Sequence, residues 1–169
     1  MDKYVFRPYD PIFPELFDQE KARLETFLGK DANIEHVGST AVPGLGGKGF
    51  IDIAIAVDQN KLADTSSKLA KAGYEYRPDA STKDRWFHRM ELPDQKQGFR
   101  RYHIHLTYPT SKDWREMVAF RDYLRSHPDE LAKYAEIKKH AAEISNEERE
   151  VYIKTKEPVI LDIIKKATE

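Results

Sequence analysis

Gly38-Ser39, a loop, and then Asp52 inside an apolar run form the first chemically suggestive constellation in this sequence. Gly38 permits close backbone approach, Ser39 offers a hydroxyl and an amide to phosphate oxygens with Thr40 beside it, and Asp52 can hold a divalent ion such as Mg2+. A carboxylate in the otherwise apolar stretch 50–57 is costly to bury unpaired, so it requires an ion, a cationic partner or an open cleft. His103 and His105 stand at i and i+2, so in a strand both imidazoles leave the same face, as two metal ligands or a general acid and base would. Arg101 precedes them on that face. Lys48 lies within the loop, in reach of a phosphate, although a solvated loop lysine is the plainer reading. Tyr152 and Lys156, one helical turn apart, could close over a nucleotide or serve only as a packing residue and a surface charge. Arg85, Phe87 and Arg89 alternate with Trp86, His88 and Met90, presenting guanidinium groups either to the same cleft or to solvent.

Several familiar patterns fail on context. Gly44 to Gly49 matches G-x-G-x-x-G, but that fingerprint must follow a strand and open a helix, whereas here the glycines lead into a strand. The Walker A pattern fails because Val42 occupies its first glycine position and Gly49 follows Lys48 where Ser or Thr is required. His105-Leu106-Thr107 resembles half of a two-histidine phosphodiesterase, and no second His-x-Thr or His-x-Ser completes it.

Periodicity assigns these residues to helices, strands and turns. Phe17, Lys21, Leu24 and Leu28 share a helical stripe closed by Gly29, which predicts a helix over 14–28. A strand over 33–37 runs into Gly38. Residues 41–49 are too rich in glycine for a helix, and 50–57 reads as a buried strand. A helix over 60–72 ends at Gly73, and 74–77 can form a strand. The runs 85–92 and 99–108 flank a turn-rich connection and predict an antiparallel hairpin. Ser111 caps a helix ending near His127, and Pro128 suits the start of the next. Ser145-x-x-Glu148 fits a capping box for a last helix in which Tyr152, Thr155, Val159, Ile163 and Ala167 hold one register across Pro158, with a kink there. The class is α+β, a mixed sheet packed by helices with a helical C-terminal part. One domain over residues 1–169 is expected.

Composition narrows the classes. The 169 residues are 40% hydrophobic, enough for a core, and charges nearly cancel to a net −1, so there is no strong nucleic-acid signal, although a local basic patch is compatible with it. Cysteine is absent, which excludes disulfides, zinc ribbons and thiol nucleophiles. Asp2, Asp10, Pro8 and Pro11 replace the basic start and apolar run of a secretory signal, and with a mean hydropathy of −0.73 a cytoplasmic protein without a membrane partner is expected.

The string IEHVGSTAVPGL over residues 34–45, followed by Lys48 and Ile51-Asp52-Ile53, closely resembles the GrpB family. The likeness continues through YHIHL at 102–106, Trp114, FRDYL at 120–124, His127-Pro128, Tyr134 and the region from Tyr152 to Lys156. That family is grouped with DNA polymerase beta-like nucleotidyltransferases, whose signature is a Gly-Ser turn, a spacer and a strand bearing Asp-x-Asp or Asp-x-Glu. The resemblance therefore implies a nucleotidyltransferase fold and a metal-dependent transferase. Its NTP phosphates would lie at Gly38, Ser39 and Thr40, and a divalent metal at Asp52 with His103 or His105 completing the shell or deprotonating the acceptor. Ala54 stands where the second acid belongs, which favours the alternative of a non-catalytic module binding a nucleotide or another phosphate-bearing small molecule. A phosphate-ester hydrolase is a third option. Neither the acceptor nor the oligomeric state is readable.

Overall fold

The computed structural model describes residues 6–145 and 148–169. Its chain order is α1 (Phe13–Leu28), β1 (Asn33–Val37), a 3-10 turn (Ser39–Ala41), β2 (Ile51–Ala56), α2 (Leu62–Lys71), β3 (Glu75–Tyr76), β4 (Trp86–Asp94), β5 (Gly98–Thr107), α3 (Lys112–Ser126), α4 (Pro128–Ser145) and α5 (Arg149–Thr168). The sheet order is β1-β2-β5-β4-β3, with β2 and β5 parallel and every other pair antiparallel. This is the expected α+β architecture, a mixed sheet followed by helices.

Strand alternation splits the sheet into two unlike faces. Ile51, Ile53 and Ile55 of β2 and Tyr102, Ile104 and Leu106 of β5 are buried with Phe13, Phe17 and Leu24 of α1 and Leu62 and Leu69 of α2. The alternate residues, Asp52 and Ala54 on β2 and His103 and His105 on β5, are therefore on the other face. In register, Asp52 pairs with His103 and Ala54 with His105, while Arg89 and Phe87 of β4 lie across from those same histidines. A second core of Val42, Leu45, Leu124, Tyr134 and Ile163 joins the glycine loop to α3, α4 and α5.

Three details depart from the sequence reading. Ser145 ends α4 and donates its hydroxyl back to the Ala142 carbonyl at 2.9 Å, while Glu148 occupies the N-cap of α5 without a side-chain cap bond, so no capping box forms. The helix before it runs on to Ser145, which is 2% exposed, and leaves that residue no cap to make. On α1 the buried polar position is Glu20 rather than Lys21; its carboxylate meets Arg23 at 2.7 Å and accepts from the Tyr74 hydroxyl. The β4–β5 hairpin is also tighter than expected. Asp94 pairs with Gly98 and its side chain accepts from the Lys96 and Gln97 amides, so strand structure extends past Pro93. The last helix does not break at Pro158, in keeping with the shared register expected across it, and the Ser111 hydroxyl caps α3 by accepting from the Trp114 amide.

Candidate functional site: a lysine cavity beside Asp52

Val37, the last residue of β1, pairs with Asp52, so the chain must turn directly over that carboxylate. Gly38 makes this possible twice over. Its φ of 74° is in the left-handed region, and a Cβ there would stand 2.5 Å from Asp52 Oδ2. Two guanidinium groups of α3 clamp the turn on either side: Arg121 donates to the His36 carbonyl at 3.0 Å and Arg125 to the Ala41 carbonyl at 2.9 Å. Thr40 is not part of the cavity lining. Its hydroxyl donates to the Phe50 carbonyl, which leaves His36 Nε2 to donate to Thr40 Oγ1 at 2.9 Å. Burial pushes the His36 imidazole down to about 4, so it is neutral in this pair.

Asp52, His103 and His105 converge. His103 Nδ1 and His105 Nε2 each lie 3.4 Å from Asp52 Oδ1. Arg85 Nη1 is 3.2 Å from His105 Nδ1, and a guanidinium can only donate, so Nδ1 accepts and the Nε2–H faces the carboxylate. Burial raises the Asp52 carboxyl, but the hydrogen bonds and charge of the two histidines outweigh it and hold the group well below the usual carboxylate range. Phe87 packs against both rings and Phe50 against His103.

On one side of Asp52 opens a cavity of about 300 Å³ lined by Ser39, Lys48, Lys138, Tyr152 and Lys156. Sequence motifs miss Lys138, which is 4% exposed. A Cβ on Gly47 would meet Ser39 Oγ at 2.7 Å and Lys138 Nζ at 2.8 Å, so the missing side chain leaves room for both groups. Lys138 Nζ lies 5.5 Å from the Tyr134 ring and Lys156 Nζ 4.5 Å from the Tyr152 ring. Among the described residues no carboxylate forms an ion pair with either ammonium, and Asp52 is the only acid lining the cavity. Desolvation, with the neighbouring lysines, pushes Lys138 down to about 7 and Lys156 to about 8; Asp52 opposes both shifts. The signal that could have found Lys138 is its place on the buried stripe of α4, between Tyr134 and Ala141, where an apolar residue belongs.

Arg101 stands apart from this cavity. It pairs with Glu91 at 3.4 Å, covers the Phe50 ring and lines a neighbouring groove. On the far side of Asp52, His105, Arg85, Asp113, Met117 and Ile164 line a further cavity of about 590 Å³. The donor set fits a metal poorly. There is one carboxylate, Ala54 in the second acid position, and among the described residues no group of three His, Asp or Glu side chains placed to hold an ion.

The family model described as GrpB protein matches residues 4–166. A UPF0157 protein of Pseudomonas aeruginosa is 34% identical over 171 residues, which cover 98% of this chain and 68% of that protein. A protein of Mycolicibacterium paratuberculosis named dephospho-CoA kinase is 30% identical over 185 residues, covering 95% of this chain and 45% of that one. The crystal structure of conserved protein GrpB from Enterococcus faecalis aligns with a TM-score of 0.78 and 26% identity, over 98% of this chain and all of the other. Matched in sequence almost end to end and in fold by a solved member, the chain belongs to the GrpB family.

Proposed function

We propose that this protein binds the phosphates of a nucleotide in the cavity between the Gly38-Ser39 turn and helices α4 and α5. The observation that carries the reading is Lys138, an ammonium 4% exposed, without a carboxylate partner among the described residues, beside the Ser39 hydroxyl and in the same cavity as Lys48 and Lys156. A buried cation is expensive unless something anionic comes to it. The polyanion that this arrangement suits is a di- or triphosphate: ammonium groups supply charge, and the serine hydroxyl and turn amides supply directed donors. Lysines here take the role that a divalent ion has in the nucleotidyltransferases which the sequence resembles. The relative named dephospho-CoA kinase joins a region like this one to a phosphate-handling activity, which is consistent with such a ligand.

Transfer of the nucleotidyl group is a second reading, and one observation favours it. Asp52 borders both the lysine cavity and the larger cavity beyond it, so an acceptor hydroxyl in the second would meet the Asp52–His105 pair while phosphates rest on the lysines. The hydroxyl oxygen would form the new bond to the α-phosphorus, its proton would pass to this pair, and pyrophosphate would leave.

Thermal stability measured with each of the four NTPs, with pyrophosphate, and with and without Mg2+ tests the binding. A ligand at about 100 times its dissociation constant adds about 2.7 kcal/mol, a change readily seen in the melting temperature. We expect stabilisation in the absence of Mg2+, abolished by Lys138→Met. No change with any of these ligands would overturn the proposal. Pyrophosphate release on adding candidate hydroxyl acceptors then separates transfer from binding alone.

A further inference from the structure

We infer that the groove next to the lysine cavity is a binding site for single-stranded nucleic acid. It has a volume of about 490 Å³ and is lined by six cationic side chains against two carboxylates, which makes this face basic on a chain whose net charge is −1. Arg7 comes from the N-terminal arm, Arg89 from β4, Arg101 from β5 and Arg149 from the start of α5. Aromatic rings lie among them. Phe50 and Phe87 line the groove, and Phe99, next to the turn of the β4–β5 hairpin, is 64% exposed.

Cations interleaved with aromatic rings are what an unpaired strand requires, because its phosphates need counter-charge and its bases offer faces to stack on. A duplex, with its bases already stacked on one another, gains nothing from Phe99. The ion pairs of the groove lie at the surface: Arg77 to Asp79 at 3.2 Å and Arg101 to Glu91 at 3.4 Å, with Arg89 reaching Glu75 beside it at 3.7 Å. Such exposed pairs contribute little, and a phosphate can replace the carboxylate without a large loss. Lys48, Phe50 and His103 line both the groove and the lysine cavity, so a strand bound here would lead toward Asp52. This inference goes beyond the phosphate reading and does not depend on it.

The test is fluorescence anisotropy of a short labelled single strand of RNA or DNA with the full chain, between about 50 and 200 mM salt. Binding should weaken steeply over that range, since each phosphate contact contributes a slope of about −0.7 in log affinity against log salt. Phe99→Ala combined with Arg89→Ala should weaken the single strand about tenfold, while the stabilisation by ATP stays as in the parent. Absence of binding at the lowest salt overturns the inference. So does equal affinity for the corresponding duplex or for heparin, or an undiminished affinity in the double variant. If the strand binds and neither pyrophosphate nor any of the four NTPs stabilises, the phosphate reading falls and this one stands; if one of those ligands stabilises and the strand does not bind, this one falls and the phosphate reading stands.

Discussion

Lys138 is the residue on which the phosphate reading turns, and its chemistry makes a signed prediction. Its pKa of about 7 lies below the ordinary 10.5, so between those values the unfolded chain holds more protons than the folded one. Stability of the unliganded protein should therefore rise as the pH climbs from 7 toward 10.5, by up to about 1.4 kcal/mol for each pH unit in that interval. Urea unfolding at several pH values would show this, and Lys138→Met should flatten the dependence while leaving the protein at least as stable at neutral pH. Ligand affinity should move the other way. Lys138 and Lys156 lose their protons on passing about 7 and 8, so phosphate binding should weaken as the pH rises through that range, with proton uptake on binding detectable by calorimetry in buffers of different ionisation enthalpy. Asp52→Asn addresses the metal. If lysines capture the phosphates directly, the mutation removes a repulsive charge and affinity holds or rises; a sharp loss that appears only with Mg2+ present would show that the carboxylate works through an ion.

The turn between β1 and β2 carries the geometric burden at the scale of elements. At Gly38 a methyl group would meet Asp52 Oδ2 at 2.5 Å from a backbone φ of 74°. Gly38→Ala should therefore cost about 1–3 kcal/mol of stability from backbone strain and displace the carboxylate, read as a lower unfolding midpoint in urea. The clamp from α3 is separable from this. Arg125 reaches the Ala41 carbonyl from outside the cavity, so Arg125→Leu should cost roughly 0.5–1.5 kcal/mol of stability and weaken phosphate binding more than that by loosening Ser39. A full-affinity Arg125→Leu variant would mean that the turn holds its shape without α3. These elements were largely legible in advance. β1 and α1 follow from alternation, helical spacing and Gly29, because local preference and burial agree there. Ser145-x-x-Glu148 misled because the same four residues suit a helix start or a helix end, and only the length of α4 decides between them.

At the scale of the molecule, the cavity is a joint between the sheet and the C-terminal helices. Ser39 and Asp52 come from the first half, while Lys138 and Tyr152 come from α4 and α5. Nucleotide binding should therefore slow amide hydrogen exchange in residues 38–42 and around Lys138 and Tyr152 together. Protection of the first segment alone would remove α4 and α5 from the site. The α+β class, the sheet-forming segments, the family, and the pairing of Gly38-Ser39 with Asp52 and of His103 with His105 can all be read from the chain before it folds. Those are short-range facts, set by strand alternation and by a turn that only glycine can make. The sign of the charge around Asp52 emerges only on folding. Lys48, Lys138 and Lys156 are distant in sequence, as are Arg7, Arg89, Arg101 and Arg149, and a chain whose charges nearly cancel gives no hint that its cations gather on one face. Burial then makes the gathering chemically important, because an ammonium lowers its pKa this far only where water has been excluded from it.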